Sequence, residues 1–206
     1  TANYIARKFG VKSGIPITFA KSRLKDHPES VFLSADFDYY SDISSSAMSI
    51  IESFADVFEY VGRDEAYLDV TSRTNSDFER ASHIAQQLKN EIQKKIKMTC
   101  SVGVSPNKLI SKIASDYKKP DGLTIIKPTE IMKFLGSLEL RKIPGIGKKT
   151  ESVFTDLNCR IIDDILKFDV FELNKKFGRK TGTYIYNAAR GVDNNLVKPR
   201  APTIQF

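Results

Sequence analysis

Between residues 76 and 96 the apolar positions Ala81, Ile84, Ala85, Leu88 and Ile92 recur every three or four residues, the period of one face of an α-helix. Ser76 followed by Glu79 supplies a capping box that predicts where this helix opens. The same period runs through Ile43, Ala47, Ile50, Ile51 and Phe54 and predicts a helix over 41–55. It returns in Leu109, Ile110, Ile113 and Tyr117, with Ser105-Pro106 read as a cap and a first-turn proline. Strict alternation replaces it at 66–71, where Ala66, Leu68 and Val70 share one face and Tyr67 and Asp69 the other, as in a half-buried strand. Residues 31–33, 98–104 and 123–126 read as further strands, and Lys119-Pro120-Asp121-Gly122 as a turn. Residues 2–10 read as a short helix closed by Gly10, before a turn at Ser13-Gly14-Ile15-Pro16. From residue 57 the order strand, strand, helix, strand, helix, strand allows an antiparallel sheet backed by helices. Near residue 127 the pattern changes to short helices, which marks an expected domain boundary. The fold class is α+β.

The 206 residues, 41% hydrophobic and 28% charged, suffice for one ordinary domain or two to three small ones with a packed core. No stretch of about 18 apolar residues occurs, and residues 1–8 lack the apolar middle of a signal peptide. Membrane insertion and secretion are disfavoured, and a cytoplasmic location is expected. Cys100 and Cys159 form no zinc spacing, and His27 and His83 are the only imidazoles, so a metal here has to be held by carboxylates. The net charge of +7 divides into +3 over residues 1–36, −1 over 37–127 and +5 over 128–206. A slightly acidic centre between basic ends suits a polyanion gripped at its edges with a cation in the middle; a solvated surface without a partner has the same sums.

Two places in the chain carry candidate chemistry. Asp64 and Glu65 are adjacent ionised carboxylates at a strand end, behind Gly62-Arg63. Such a pair is tolerated best beside a hard divalent cation or a guanidinium, so it reads either as a metal site or as surface charge paired to Arg63. Asp69 lies about 13 Å along the strand from Glu65, too far to share an ion with it. The second place is Ile143-Pro144-Gly145-Ile146-Gly147-Lys148-Lys149, ahead of a helix through Val153, Phe154 and Leu157 that Asn158 can end. Two glycines let the backbone approach a ligand closely, amides at the helix start can donate to phosphate oxygens, and two lysines add charge. A second short helix with Ile161, Ile162, Ile165 and Leu166 completes a helix-hairpin-helix pattern. A plain glycine turn between core helices remains the other reading.

Several motifs also stand in one order: Thr1-Ala2-Asn3-Tyr4 with Ala6-Arg7-Lys8-Phe9-Gly10-Val11, Asp64-Glu65-Ala66-Tyr67-Leu68-Asp69, Ser101-Val102-Gly103-Val104-Ser105 with Asn107-Lys108, Lys112-Ile113-Ala114-Ser115-Asp116, Lys119-Pro120-Asp121-Gly122, and Ile143-Pro144-Gly145-Ile146-Gly147. Over nearly its whole length the chain resembles the DinB-type branch of the Y-family translesion DNA polymerases. The resemblance implies a right-hand polymerase core, with part of the fingers at 1–36, an antiparallel palm sheet at 37–127, an all-helical thumb with a helix-hairpin-helix at 128–192, and a linker at 193–206. It implies that Asp64 and Glu65 are two of three catalytic carboxylates holding two Mg²⁺ ions, for which Mn²⁺ can substitute. It further implies that Thr1, Tyr4, Arg7 and Lys119 contact the dNTP triphosphate. Gly145, Ile146, Gly147, Lys148 and Lys149 would grip the DNA backbone, with a monovalent cation in the turn. Primer-template DNA and dNTP are the implied partners, with a sliding clamp reached through regions outside this chain; a monomer is expected. Taken alone, Tyr4 and Arg7 are simply two positions on one helix face, and Lys119 is an ordinary turn lysine.

The chain departs from that family pattern in three places. The family's first strand, with the third carboxylate and an aromatic steric gate, has no counterpart before Thr1, so a truncated core, weak or inactive alone, is expected. Asp36-Phe37-Asp38-Tyr39-Tyr40 looks like that motif but follows the Thr1–Tyr4 segment, and reads instead as the entry to the 41–55 helix with Asp38 or Ser41 as cap. Gly62-Arg63 replaces serine and an apolar residue, so Arg63 can partly neutralise the carboxylates. Two other functions fit parts of the sequence: a non-catalytic module that binds DNA backbone, and a metal-dependent nuclease.

Overall fold

The computed structural model describes residues 1–199, so residues 200–206 of the expected linker lie outside the described part. The chain divides into two units, Thr1–Phe37 and Asp38–Phe206.

In the first unit, α1 (Tyr4–Lys8) is capped by Asn3, whose side chain accepts from the Ala6 amide, and the chain turns away through Gly10 at φ +79°. Helix α2 (Ile17–Arg23) follows, and Val11, Ala20 and Leu24 form a small core with Ala2, Ala6 and Ile15 packed on it. Arg23 donates to the Gly10 carbonyl and closes the loop between the helices. The strand expected at 31–33 does not form. Val31 and Leu33 are 77% and 86% exposed, and no described strand lies alongside to pair with them.

Helix α3 (Phe37–Ser53), all but its first residue in the second unit, begins four residues earlier than the hydrophobic period suggests. Asp38 therefore lies inside its first turn and Ser41 in its body, and neither is the cap. Next come β1 (Val57–Gly62) and β2 (Glu65–Asp69), an antiparallel hairpin in which Gly62 faces Glu65 across Arg63 and Asp64, with an irregularity at Tyr60–Gly62. A short α4 (Thr71–Thr74) leads to α5 (Phe78–Ile96), which buries Ala81, Ala85, Leu88 and Ile92 as its period predicts. Its cap is Asp77, accepting from the amides of Glu79 and Arg80, and not Ser76, which takes a left-handed φ of +59° after α4. Strand β3 (Val102–Val104) is shorter than expected, with Met98 exposed. It leads to α6 (Lys108–Tyr117), capped by Asn107 one residue beyond Pro106, so the proline precedes the helix. Strand β4 (Leu123–Ile125) pairs with β3 in parallel. The antiparallel pairing expected of the sheet is that of β1 with β2, while the β3–β4 pair stands as a separate two-stranded sheet.

Beyond residue 127 the elements are all helical: a 3-10 turn at Pro128–Glu130, α7 (Ile131–Gly136), a 3-10 turn at Leu140–Lys142, α8 (Lys148–Asp156), a 3-10 helix at Ile162–Lys167, α9 (Val170–Phe177) and α10 (Arg179–Ala189). The second helix of the expected hairpin pattern is thus a 3-10 helix. Asn158 ends α8 as predicted, at φ +58°. The main core runs without a break from Leu109, Ile110 and Ile113 of α6 through Leu135 and Ile143 to Phe154, Ile162, Leu173 and Ile185. Strand β3 presses directly on α6, since a Cβ at Gly103 would stand 2.6 Å from the Ser115 amide nitrogen.

Candidate nucleotidyl-transfer site

A two-residue turn puts Asp64 at the tip of the β1–β2 hairpin, exposed, and Glu65 at the first position of β2, half-buried. The Ser44 hydroxyl of α3 donates to the Arg63 carbonyl at 2.6 Å and holds this turn from behind. Alternation along β2 sends Glu65 and Tyr67 to the same face, and Glu59 stands opposite Tyr67 on β1. That face meets α6. Lys108 donates to both carboxylate oxygens of Glu59 at 2.7 Å and lies 4.8 Å over the Tyr67 ring. One turn further along α6, Lys112 donates to Glu65. Burial, reinforced by Glu65, Asp193, Glu59 and Asp116, pushes the Tyr67 hydroxyl above its usual pKa.

Asp116 stands 3.9 Å from the Lys112 ammonium and accepts from Lys119 at 2.6 Å. Glu65, Lys112, Asp116 and Lys119 thus form one line of alternating charge from the hairpin to the turn after α6. Ion pairs thus connect Lys119 to Glu65, two residues that the family resemblance assigns to one site. Lys112 and Asp116 were given no role there, although 112, 116 and 119 share the i, i+4, i+7 spacing of one helix face. Asp69, by contrast, accepts from the Thr71 amide at the start of α4 at 2.8 Å.

The turn bearing Lys119 is held from below. Lys89 of α5, with only 8% of its side chain exposed, donates to the Cys100 carbonyl at 2.6 Å, to the Asp121 carbonyl at 2.9 Å and to the Asp121 carboxylate. Burial also raises the Cys100 thiol pKa.

In the first unit, the Arg7 guanidinium sits 5.0 Å from the centre of the Tyr4 ring, and its Nε donates to the Ala2 carbonyl at 3.0 Å. Ser13 donates to the Thr1 hydroxyl at 3.3 Å. Tyr4 and Arg7 are therefore joined as a stacked pair on an exposed helix.

The glycine turn takes its expected form. Gly145 has φ +86°, a region L-side chains seldom adopt, and a Cβ there would lie 3.6 Å from the Tyr184 ring. The Tyr184 hydroxyl donates to the Pro144 carbonyl at 2.6 Å and anchors the turn to α10. Gly147 precedes α8 with no side-chain cap, a Cβ there would meet open space, and Lys148 and Lys149 are exposed at the first helical positions. Between this turn, the hairpin and α6 lies an open cleft of about 730 Å³. Glu59, Tyr67, Lys112, Pro144 and Tyr184 line it.

Asp64 and Glu65 offer the hard oxygen donors that Mg²⁺ takes, and Mg²⁺ commonly uses one or two carboxylates with substrate phosphates completing its shell. Among the described residues no group of three His, Cys, Asp or Glu side chains comes together as a metal site. The pair therefore fits a metal shared with a ligand better than a closed protein cage. No helix among the described residues is long and apolar enough to cross a membrane.

Comparison with known proteins places the chain in a family. Residues 1–116 match the family model described as impB/mucB/samB family, and residues 141–193 match the model described as DNA polymerase-iota, thumb domain. The chain is 65% identical over 205 residues to DNA polymerase IV of Nitrosopumilus maritimus (strain SCM1), covering 100% of this chain and 56% of that protein. It is 42% identical over 205 residues to DNA polymerase IV 1 of Methanosarcina mazei, covering 97% and 55%. Among solved structures, DinB from Sulfolobus solfataricus superposes with a TM-score of 0.88 at 38% identity over 96% of this chain and 57% of that one. An insertion ternary complex of Dbh DNA polymerase gives 0.88 at 38% identity, over 96% and 56%. The chain spans little more than half the length of these relatives. With a family model matching residues 1–116, 65% identity to a DNA polymerase IV and a fold shared with DinB, the chain belongs to the DinB-type branch of the Y-family DNA polymerases.

Proposed function

We propose that this chain supplies the partial fingers (1–36), palm (37–127) and thumb (128–192) of a DNA-directed DNA polymerase that extends primers across damaged templates, with 193–206 leading onward as a linker. The observation that supports this reading most is the line Glu65–Lys112–Asp116–Lys119, in which ion pairs connect one carboxylate of the Asp64–Glu65 pair to Lys119. In the reaction the primer 3′-hydroxyl loses its proton to solvent and attacks the α-phosphorus of the incoming dNTP, a new P–O bond forms as the α–β P–O bond breaks, and pyrophosphate leaves. Two Mg²⁺ ions, when bound, supply acidification of the hydroxyl and charge neutralisation on the triphosphate. Asp64 and Glu65 are the residues of this chain that would hold them. Lys119, Arg7, Tyr4 and Thr1 bind the triphosphate oxygens, the cations offsetting the charge that develops on the leaving group. The turn Gly145-Ile146-Gly147, through the amides of its two glycines, and the ammonium groups of Lys148 and Lys149 hold the DNA backbone and read no base.

Primer extension by the polymerase that contains this chain tests the reading. Asp64→Ala or Glu65→Ala lowers nucleotide incorporation by about 1,000-fold or more, the scale of several kcal/mol of lost metal-borne stabilisation, while primer-template binding by gel shift is retained. Extension near the unmodified rate in either variant overturns the assignment. Binding of dNTP that is unaffected by Arg7→Ala and Lys119→Ala would leave only a DNA-backbone-binding module.

A further inference from the structure

Two lysines one turn apart on α6 each meet a glutamate of the β1–β2 hairpin, and the two pairs differ in kind. Lys108–Glu59 is bidentate, with side chains 18% and 14% exposed, and Glu59 also accepts from the Lys198 amide at 2.8 Å. This pair fastens the hairpin to α6. Lys112–Glu65 uses one carboxylate oxygen, its side chains are 26% and 41% exposed, and Glu65 is the residue next to Asp64. With the hairpin already fastened at Glu59, the second pair adds little to packing. Its distinctive feature is position: an ammonium in direct contact with a carboxylate of the metal-binding pair, with a second acceptor, Asp116, 3.9 Å from the same nitrogen.

We infer that Lys112 is a positioning residue that acts as a resident counter-ion of the carboxylate pair, holding Glu65 in place without metal and yielding it when a divalent ion binds. This rests on the metal role proposed above for Asp64 and Glu65. The physical grounds are three. A carboxylate that accepts from an ammonium presents less negative charge to an arriving cation, so the metal has to compete with Lys112. The lysine stem is flexible and its head is a point charge without directional demands, so rotation about the terminal bonds carries it from Glu65 to Asp116. Asp116 already accepts from Lys119, so the transfer places two ammonium groups on one carboxylate and favours a polyphosphate beside them. Metal entry at Glu65 and recruitment of positive charge toward the triphosphate side are thereby one rearrangement.

The test is a Mn²⁺ titration of the 206-residue chain, followed by paramagnetic broadening of the amide signals of Asp64, Glu65 and Ala66. Lys112→Met keeps the apolar stem and removes the charge. The broadening midpoint is expected to fall about two- to fivefold, the scale of one partly exposed ion pair, with Lys112→Arg staying near the unmodified value. Lys94→Met, which removes an exposed charge from α5, is the control for net charge. A midpoint that is unchanged, raised, or shifted no more than in Lys94→Met overturns the role of Lys112, as does absence of broadening in both the unmodified chain and Lys112→Met. Glu65→Gln separates the two readings. Undiminished broadening in that variant rejects the metal role of the pair itself, whereas its loss combined with no shift in Lys112→Met rejects the counter-ion alone. Signals far from the hairpin report in the same spectra that each variant is folded.

Discussion

In the hairpin that carries Asp64 and Glu65, every strand residue is only half-buried except Val61, which is exposed. In the helices after residue 127, Leu135, Ile143, Phe154, Ile162, Ile165 and Leu173 have no measurable exposure. The hairpin is tied to its surroundings by ion pairs, Lys108–Glu59, Lys112–Glu65 and Arg73–Asp56, and the helical region by interlocking apolar side chains. The difference follows from what each region offers. A site of the kind proposed for the hairpin, for cations and phosphates, has to remain wet and charged, so its stability comes from paired charges of modest net value. A region proposed to hold DNA only by its surface turn can bury everything beneath that turn.

The sharpest way to break this contrast is in the helical core. Phe154 packs against Phe168 and Phe177, with ring centroids 6.3 and 4.9 Å away, and is fully buried. Phe154→Ala is expected to cost about 3–5 kcal/mol, the transfer loss plus the cavity left behind, measured by urea unfolding. The loss should be nearly independent of salt. A cost below about 1 kcal/mol would mean that the apolar core is not what holds this region.

An intermediate effect is expected at the buried lysine. Lys89→Met removes the donor to the Cys100 and Asp121 carbonyls, leaving acceptors unsatisfied at a cost of about 1–3 kcal/mol. Because those bonds hold the 119–122 turn, protection of the Lys119, Asp121 and Gly122 amides against hydrogen exchange should fall more than that of α8. Equal loss in both places would show a global rather than a local role.

How much of this could be read from the chain depends on the range over which each feature is decided. The buried face of α5 is set by local periodicity, and Ala81, Ala85, Leu88 and Ile92 all fall where the pattern puts them. The α5 and α6 caps were displaced by one or two residues, because Asp77 and Asn107 compete with nearby Ser76 and Ser105 for the same task, and only the path of the incoming chain decides between them. Residues 31–33 have strand-like composition, yet a strand exists only with a neighbour, which composition cannot supply. The Asp64–Glu65 pair and the Gly145–Gly147 turn were legible because each is made by adjacent residues. The Lys112–Glu65 contact was not, since it joins positions 47 apart in sequence.

The smallest expected effect isolates the charged side of the contrast. Asp56 lies just before β1 and Arg73 sits on α4 just after β2, so their pair closes the base of the hairpin: Arg73 Nε donates to Asp56 Oδ1 at 2.7 Å and the Arg73 amide to Oδ2 at 3.0 Å. These bonds from Arg73 hold the Asp56 carboxyl below its usual pKa. A carboxyl whose folded-state pKa is depressed adds stability that is fully present above its unfolded value, near 3.9, and lost as pH falls through the folded value. Asp56→Asn should therefore be less stable than the unmodified chain at pH 7 by about 1 kcal/mol or less, as befits a partly exposed pair. The gap should close as the pH is lowered below about 4, because the unmodified chain then loses the same interaction by protonation. Added salt should narrow the gap at pH 7 while leaving the Phe154→Ala penalty unchanged. A gap that persists unchanged at low pH would assign the contribution of Asp56 to shape rather than charge, and would remove one of the three ion pairs on which the contrast with the helical region depends.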